Sequence, residues 1–133
     1  MAKVHGRKTV ITVDGDDITA FCNTSELTRE ADEHDTSTYG PDDADYEGGL
    51  RRGQFTCGGF YDSSVTGPAS TMRGKEGTRM PIVRKTEGTG TGKPQEAFTG
   101  LLTKYVETNP VADFITWSAE FRKCGAITDT TQA

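Results

Sequence analysis

The chain has 133 residues, a net charge of −5 and only 32 % hydrophobic residues. That length suits one domain with a single modest core, and an apolar share this low leaves partner subunits to supply part of the burial. The opening MAKVHGRKTV lacks an apolar signal region and there is no 18-residue apolar run, so neither a signal peptide, a transmembrane helix nor a membrane partner is expected.

Residues 8–13 are rich in β-branched side chains and predict a strand, closed by the turn signal Asp14-Gly15. Residues 18–22 suit a short strand or one helical turn; so short a run does not separate the two. Residues 24–32 alternate Ser25, Leu27, Arg29 and Ala31 with Glu26, Thr28, Glu30 and Asp32, which predicts an outer strand. Residues 35–53 read as a long polar connection with no clear element, and its Tyr39, Tyr46 and Leu50 favour docking on something over disorder. Residues 54–61 predict a strand whose Gly58 and Gly59 signal a bulge or a close backbone approach. Pro68 suits the first turn of a short helix reaching Met72.

Strands are expected again over 79–86 and 96–106, joined by a flexible glycine-rich loop at 87–95. Over 113–122, Ile115, Trp117, Ala119 and Phe121 alternate with polar residues, the clearest half-buried strand in the chain. The tail from Asp129 is polar and expected to fray. The sum is a mainly β, single-domain chain: an antiparallel sandwich or barrel of six to seven strands with one short flanking helix. Its candidate core is Val10, Phe55, Ile115, Trp117, Ala119 and Phe121.

The chemistry-bearing residues point away from catalysis. Gly88 to Lys93 looks like a phosphate loop, but Glu87 stands where the first glycine belongs and Pro94 where a hydroxyl residue belongs. The carboxylates at Asp14, Asp16 and Asp17, and at Asp42, Asp43, Asp45 and Glu47, lack the frame of a calcium loop. Cys22, Cys57 and Cys124 lack metal-ligand spacing and read as reduced thiols of a cytosolic protein. The two histidines, His5 and His34, accompany no recognisable nucleophile. Trp117 suits a core position better than a ligand-stacking platform. No catalytic, metal or cofactor site is therefore expected.

Charge is unevenly divided. Residues 1–49 hold twelve acidic and four basic residues, whereas 50–133 hold eight and eleven. Such a split suits a head-to-tail contact between copies, and the lack of a basic stripe argues against strong binding to nucleic-acid phosphates.

Motif order adds a resemblance. Gly6 to Thr19, with Thr9-Val10-Ile11 running into Asp14-Gly15-Asp16-Asp17-Ile18-Thr19, is similar to the start of many tail tube subunits of long-tailed bacteriophages. Asp35 to Gly40 resembles their D-x-T-x-(F/Y)-G element, and Tyr46 to Phe60 resembles their Y-x-x-G-L-x-x-G-x-F-x-x-x-G run. Phe114 to Thr128 resembles their last strand; residues 63–95 match least.

The resemblance implies a β-sandwich flanked by a helix near 67–74, in hexameric rings stacked head-to-tail into a tube through which double-stranded DNA passes without specific binding. It implies a virion tail location, assembly in the host cytoplasm, and tape measure, tail tip and terminator proteins as partners. The 35–53 connection, with Tyr39, Asp42, Asp43, Asp45, Tyr46, Leu50, Arg51 and Arg52, would then reach a neighbouring subunit or ring. A head decoration protein, a tail terminator or a ligand-binding β-sandwich are the alternatives.

Overall fold

A computed structural model describes residues 3–65 and 67–133. Seven strands occur among them: β1 (Val10–Val13), β2 (Asp16–Asp17), β3 (Thr24–Asp35), β4 (Tyr46–Phe60), β5 (Arg79–Lys85), β6 (Pro94–Thr108) and β7 (Thr116–Thr131). One helix, α1 (Pro68–Met72), begins on its proline, whose missing N–H costs nothing in a first turn. Short 3-10 turns cover Gly6–Lys8 and Thr19–Phe21, so residues 18–22 take the helical-turn alternative.

All seven strands join one antiparallel sheet in the order β2-β1-β5-β6-β7-β4-β3. Asp14 and Gly15 both have positive φ, 52° and 83°, as the tight β1–β2 turn demands. Bulges near Ala97–Thr99 and Leu102–Lys104 bend β6, and the sheet rolls over its own inner face. The connection after β2 thereby meets β4, although β2 and β4 lie far apart in the strand order. A Cβ on Gly59 would sit 2.0 Å from the Phe21 carbonyl oxygen, and one on Gly58 would sit 2.7 Å from that of Trp117. The two glycines thus mark a close approach.

The rolled face encloses one core. It includes Ile11 and Val13 of β1, Phe55 of β4, Met80 and Ile82 of β5, Phe98 and Leu102 of β6, and Trp117, Ala119 and Phe121 of β7. Phe55 packs edge-to-face on Phe98 at 5.7 Å between ring centroids. Trp117 stacks on Tyr105 and donates from Nε1 to the Phe21 carbonyl at 3.0 Å, so no open ring is left for a ligand. Helix α1 caps the core with Met72, while the buried Thr71 hydroxyl is satisfied by Asp16 at 3.0 Å.

Four expectations change. Val10 is only half-buried, because strand alternation in β1 points Ile11 and Val13 inward. Ile115 is 37 % exposed, because β7 begins at Thr116 and Ile115 belongs to the preceding loop. The stretch 35–53 is no featureless connection: residues 46–53 form the outer half of β4, paired with β3, and only 36–45 is loop. The C-terminal stretch does not fray, since β7 runs to Thr131 against Pro94–Glu96. Beyond it, Gln132 Nε2 donates to the Gly88 carbonyl at 2.8 Å, and Gln132 Oε1 accepts from Gly90 N. The glycine-rich loop and the C-terminal residues hold one another.

Candidate assembly surfaces

Two surfaces stand out, at opposite ends of the sheet. The first is an arm formed where β3 and β4 run on past the core. Arg29 pairs with Gly53 and Asp35 with Tyr46, so the hairpin continues well beyond the β4–β7 pairing, which ends at Gln54–Arg122. No core residue lies between Ile18 and Phe55. Residues 24–53 hold nine acidic and three basic residues, a net −6, which leaves +1 for the rest of the chain.

The arm is ordered by polar bonds. At its tip, Thr36 N donates to the Asp45 carbonyl at 2.9 Å, Asp45 N to the Ser37 hydroxyl at 2.7 Å, and Ser37 N to the Asp35 carboxylate at 2.8 Å. The Ser37 hydroxyl and then its amide hold the Asp35 carboxyl below its usual pKa. Midway, Arg52 Nε donates to Asp32 at 3.0 Å and draws that carboxyl down too. A Cβ on Gly49 would lie 2.5 Å from His34 Nε2, the far end of an exposed side chain that can swing aside.

At the root, Arg29 on β3 reaches across to Asp129 on β7 at 2.7 and 3.0 Å, and also pairs with Glu96 on β6. Glu96 in turn accepts from Arg84 at 3.1 Å and from the Thr86 hydroxyl at 3.2 Å. Arg29 holds the Asp129 carboxyl below its usual pKa, chiefly through their hydrogen bonds. This network spans β3, β5, β6 and β7 and sets where the arm leaves the body.

The arm presents apolar groups to solvent. Tyr39 is fully exposed at the tip, Leu50 is 71 % exposed and Tyr46 56 %. Asp42, Asp43 and Asp45 share the tip, and Arg51 and Arg52 sit nearer the root on β4. The eight residues singled out for an intersubunit contact thus fall on this one projection.

The second surface lies at the other end of β4 and went unread in the sequence. Phe60, Phe114 and Val111 are exposed there beside Ile115, with Phe60 and Phe114 edge-to-face at 6.1 Å. The Tyr61 amide donates to the Ile115 carbonyl at 2.9 Å, holding the loop against the strand end. The Arg73 guanidinium covers the Tyr61 ring at 5.6 Å and pairs with Glu107. The available signal was aromatic residues standing outside the alternation at strand ends.

Among the described residues, no group of three or more acidic, His or Cys side chains is arranged to hold a metal ion. Likewise no helix there is long and apolar enough to cross a membrane.

No family model and no curated protein matches the sequence. Solved structures do match the fold. The chain superposes on a subunit from the tail of an empty gene transfer agent particle, solved by helical refinement with C6 symmetry. The TM-score is 0.79 at 13 % identity, over 97 % of this chain and 100 % of the other. A chain of the native gene transfer agent virion gives 0.80 at 14 % identity, over 98 % and 100 %. The SPP1 tail tube gives 0.75 at 8 % identity, over 98 % of this chain and 80 % of that one. A chain from the anti-feeding prophage baseplate is more distant, at 0.59. The fold is thus shared, along nearly the whole chain, with chains of gene transfer agent particles and with the SPP1 tail tube.

Proposed function

We propose that the chain is a structural, non-catalytic subunit of a phage-type tail tube, self-assembling into hexameric rings that stack head-to-tail into the conduit for DNA ejection. The observation that carries this reading is the end-to-end match to a gene transfer agent tail solved with six-fold symmetry. Its other partners would be the tape measure, tail tip and terminator proteins, and its location the virion tail after assembly in the host cytoplasm.

The surfaces support the same reading. A ring stack needs two different faces on each subunit, and this chain carries distinct ones at the two ends of its sheet. The arm has no core of its own, and a lone two-stranded hairpin is marginal in water, so a neighbouring copy is what would bury Tyr39, Tyr46 and Leu50. Strand β3 is also an unpaired edge along all of Thr24–Asp35. A net negative charge lets DNA pass by repelling its phosphates.

Negative-stain electron microscopy of the concentrated protein tests the proposal. Hollow tubes or stacked six-fold rings are expected, formed alone or on added tail-tip complex. Uniform small particles under both conditions would refute it.

A further inference from the structure

We propose that Cys22 and Cys57 are a thiol pair placed to close into an intramolecular disulfide when the protein meets a peroxide, covalently stapling the root of the arm. The inference is independent of the tail reading and rests on how residue 22 crosses β4. Asn23 N donates to the Gly58 carbonyl at 2.9 Å, and Ser25 pairs with Cys57 in the β3–β4 register. A Cβ on Gly59 would lie 2.9 Å from the Cα of Cys22. Gly59 and Cys57 are two residues apart and share the inner face of β4, so Cys22 lies over the same face as the Cys57 side chain. Its side chain packs against the core cluster that includes Cys57. The neighbouring Cys22 thiol, together with burial, pushes the Cys57 thiol up.

The pair is also asymmetric in access. Cys57 is 3 % exposed. Cys22 is part-exposed and lines an open cleft of about 750 Å³ between β1, β3 and β5, whose walls include Ile11, Thr24 and Arg84. A peroxide entering the cleft meets Cys22 first. The Cys22 sulfur attacks one peroxide oxygen, the O–O bond breaks, and sulfenic acid and one water form. The Cys57 sulfur then displaces hydroxide from that sulfenic acid, its proton leaves with the hydroxide as a second water, and the S–S bond closes. Two thiols are oxidised by two electrons in all, and one hydrogen peroxide is reduced to two waters. Cys124 lies elsewhere: Cys57 pairs with Ala119, and Cys124 stands five residues further along β7, opposite Thr99.

The bond would enclose β3, the arm tip and most of β4 in one covalent loop. The chain would assemble reduced in a cytosol and lock in oxidising surroundings.

The test is hydrogen peroxide treatment of the reduced full-length protein. Expected are one remaining free thiol of three under denaturing conditions, a mass lower by two hydrogens, and a peptide map linking residues 22 and 57. The melting temperature should rise by about 10 °C, as expected for a loop of this length, and fall back on adding a thiol reductant. Cys22→Ser should show neither link nor shift. A bridge through Cys124, Cys22 halting at sulfenic or sulfinic acid, or three surviving thiols would overturn the proposal. The peptide map of the unmutated protein decides the matter even where Cys22→Ser fails to fold.

Discussion

Replacing Gly59 by Ala tests whether the sheet closes on itself as described. Gly59 is buried on β4 opposite Trp117, and the new methyl would fall 2.0 Å from the Phe21 oxygen and 2.9 Å from both Asn23 N and the Cys22 Cα. All three neighbours are backbone, so no flexible side chain can swing away. Relief requires the 19–23 segment to retreat by roughly 1 Å, an overpacking strain that costs about 1–3 kcal/mol. The retreat also pulls the Phe21 carbonyl from Trp117 Nε1, and a buried donor left unpaired costs about 1–3 kcal/mol more. The total, about 2–6 kcal/mol, is a large part of the ~5–15 kcal/mol that holds a domain together. Trp117 is the sole tryptophan, so urea unfolding followed by its fluorescence reads the right place. The expected result is a lower midpoint with a red-shifted native spectrum. Gly48→Ala, whose Cβ would meet nothing within 4 Å, is the control and should stay within about 0.5 kcal/mol of the parent. A Gly59→Ala protein equally close to the parent would refute the closure.

Phe121→Ala removes a fully buried ring that packs on Phe55 and should cost about 3–5 kcal/mol in the same urea assay. Leu50→Ser and Tyr39→Ser change largely exposed side chains outside the core; they should leave monomer stability within about 0.5 kcal/mol yet abolish tube formation in electron micrographs. Asp32, Asp35 and Asp129 all titrate below the ordinary carboxylate range when folded. Their stabilisation is therefore complete above the unfolded pKa of about 3.9 and is lost as the pH falls through the lowered values. Amide signals of residues 30–35 and 46–51 should disperse less in acid before those of 55–57 do, as NMR would show; simultaneous loss would count against polar control of the arm.

What the sequence made legible was whatever a single buried face enforces. Trp117, Ala119 and Phe121 alternate because β7 has one face in the core, and Asp14-Gly15 is readable because its turn demands positive φ. The error over Val10 and Ile11 has the same root: in the run Val10-Ile11-Thr12-Val13 apolar side chains occupy both faces, and composition does not say which face is inside. Residues 46–53 gave no strand pattern because both faces of the arm meet water, so nothing selects for alternation. The end of β7 looked loose because Thr128, Asp129, Thr130 and Thr131 are polar; its order comes from Arg29 and from pairing with Pro94–Glu96, partners distant in sequence. Of the arm, the sequence singled out candidate contact residues without their hairpin, and the aromatic patch at Phe60 and Phe114 was missed altogether.

The low apolar share is itself explained by this division. Averaged over the chain, the composition describes neither part. Outside residues 24–53 the charge nearly balances, and every fully buried apolar side chain is found there, an ordinary small core. The arm supplies the excess acid and no core residue, so its tip is held by hydrogen bonds in water, each worth only about 1 kcal/mol net. In the proposed assembly, an element with so little intrinsic stability that still displays Tyr39, Tyr46 and Leu50 would reach its free energy minimum in contact with another copy. The same side chains that make the isolated subunit look poorly made are those an assembled one would cover, so burial of the arm and formation of the tube should be one measurable event. Protection of arm amides from hydrogen exchange should then rise with protein concentration in step with tube growth, while the core amides stay unchanged. Arm protection already complete in the dilute monomer would break that coupling.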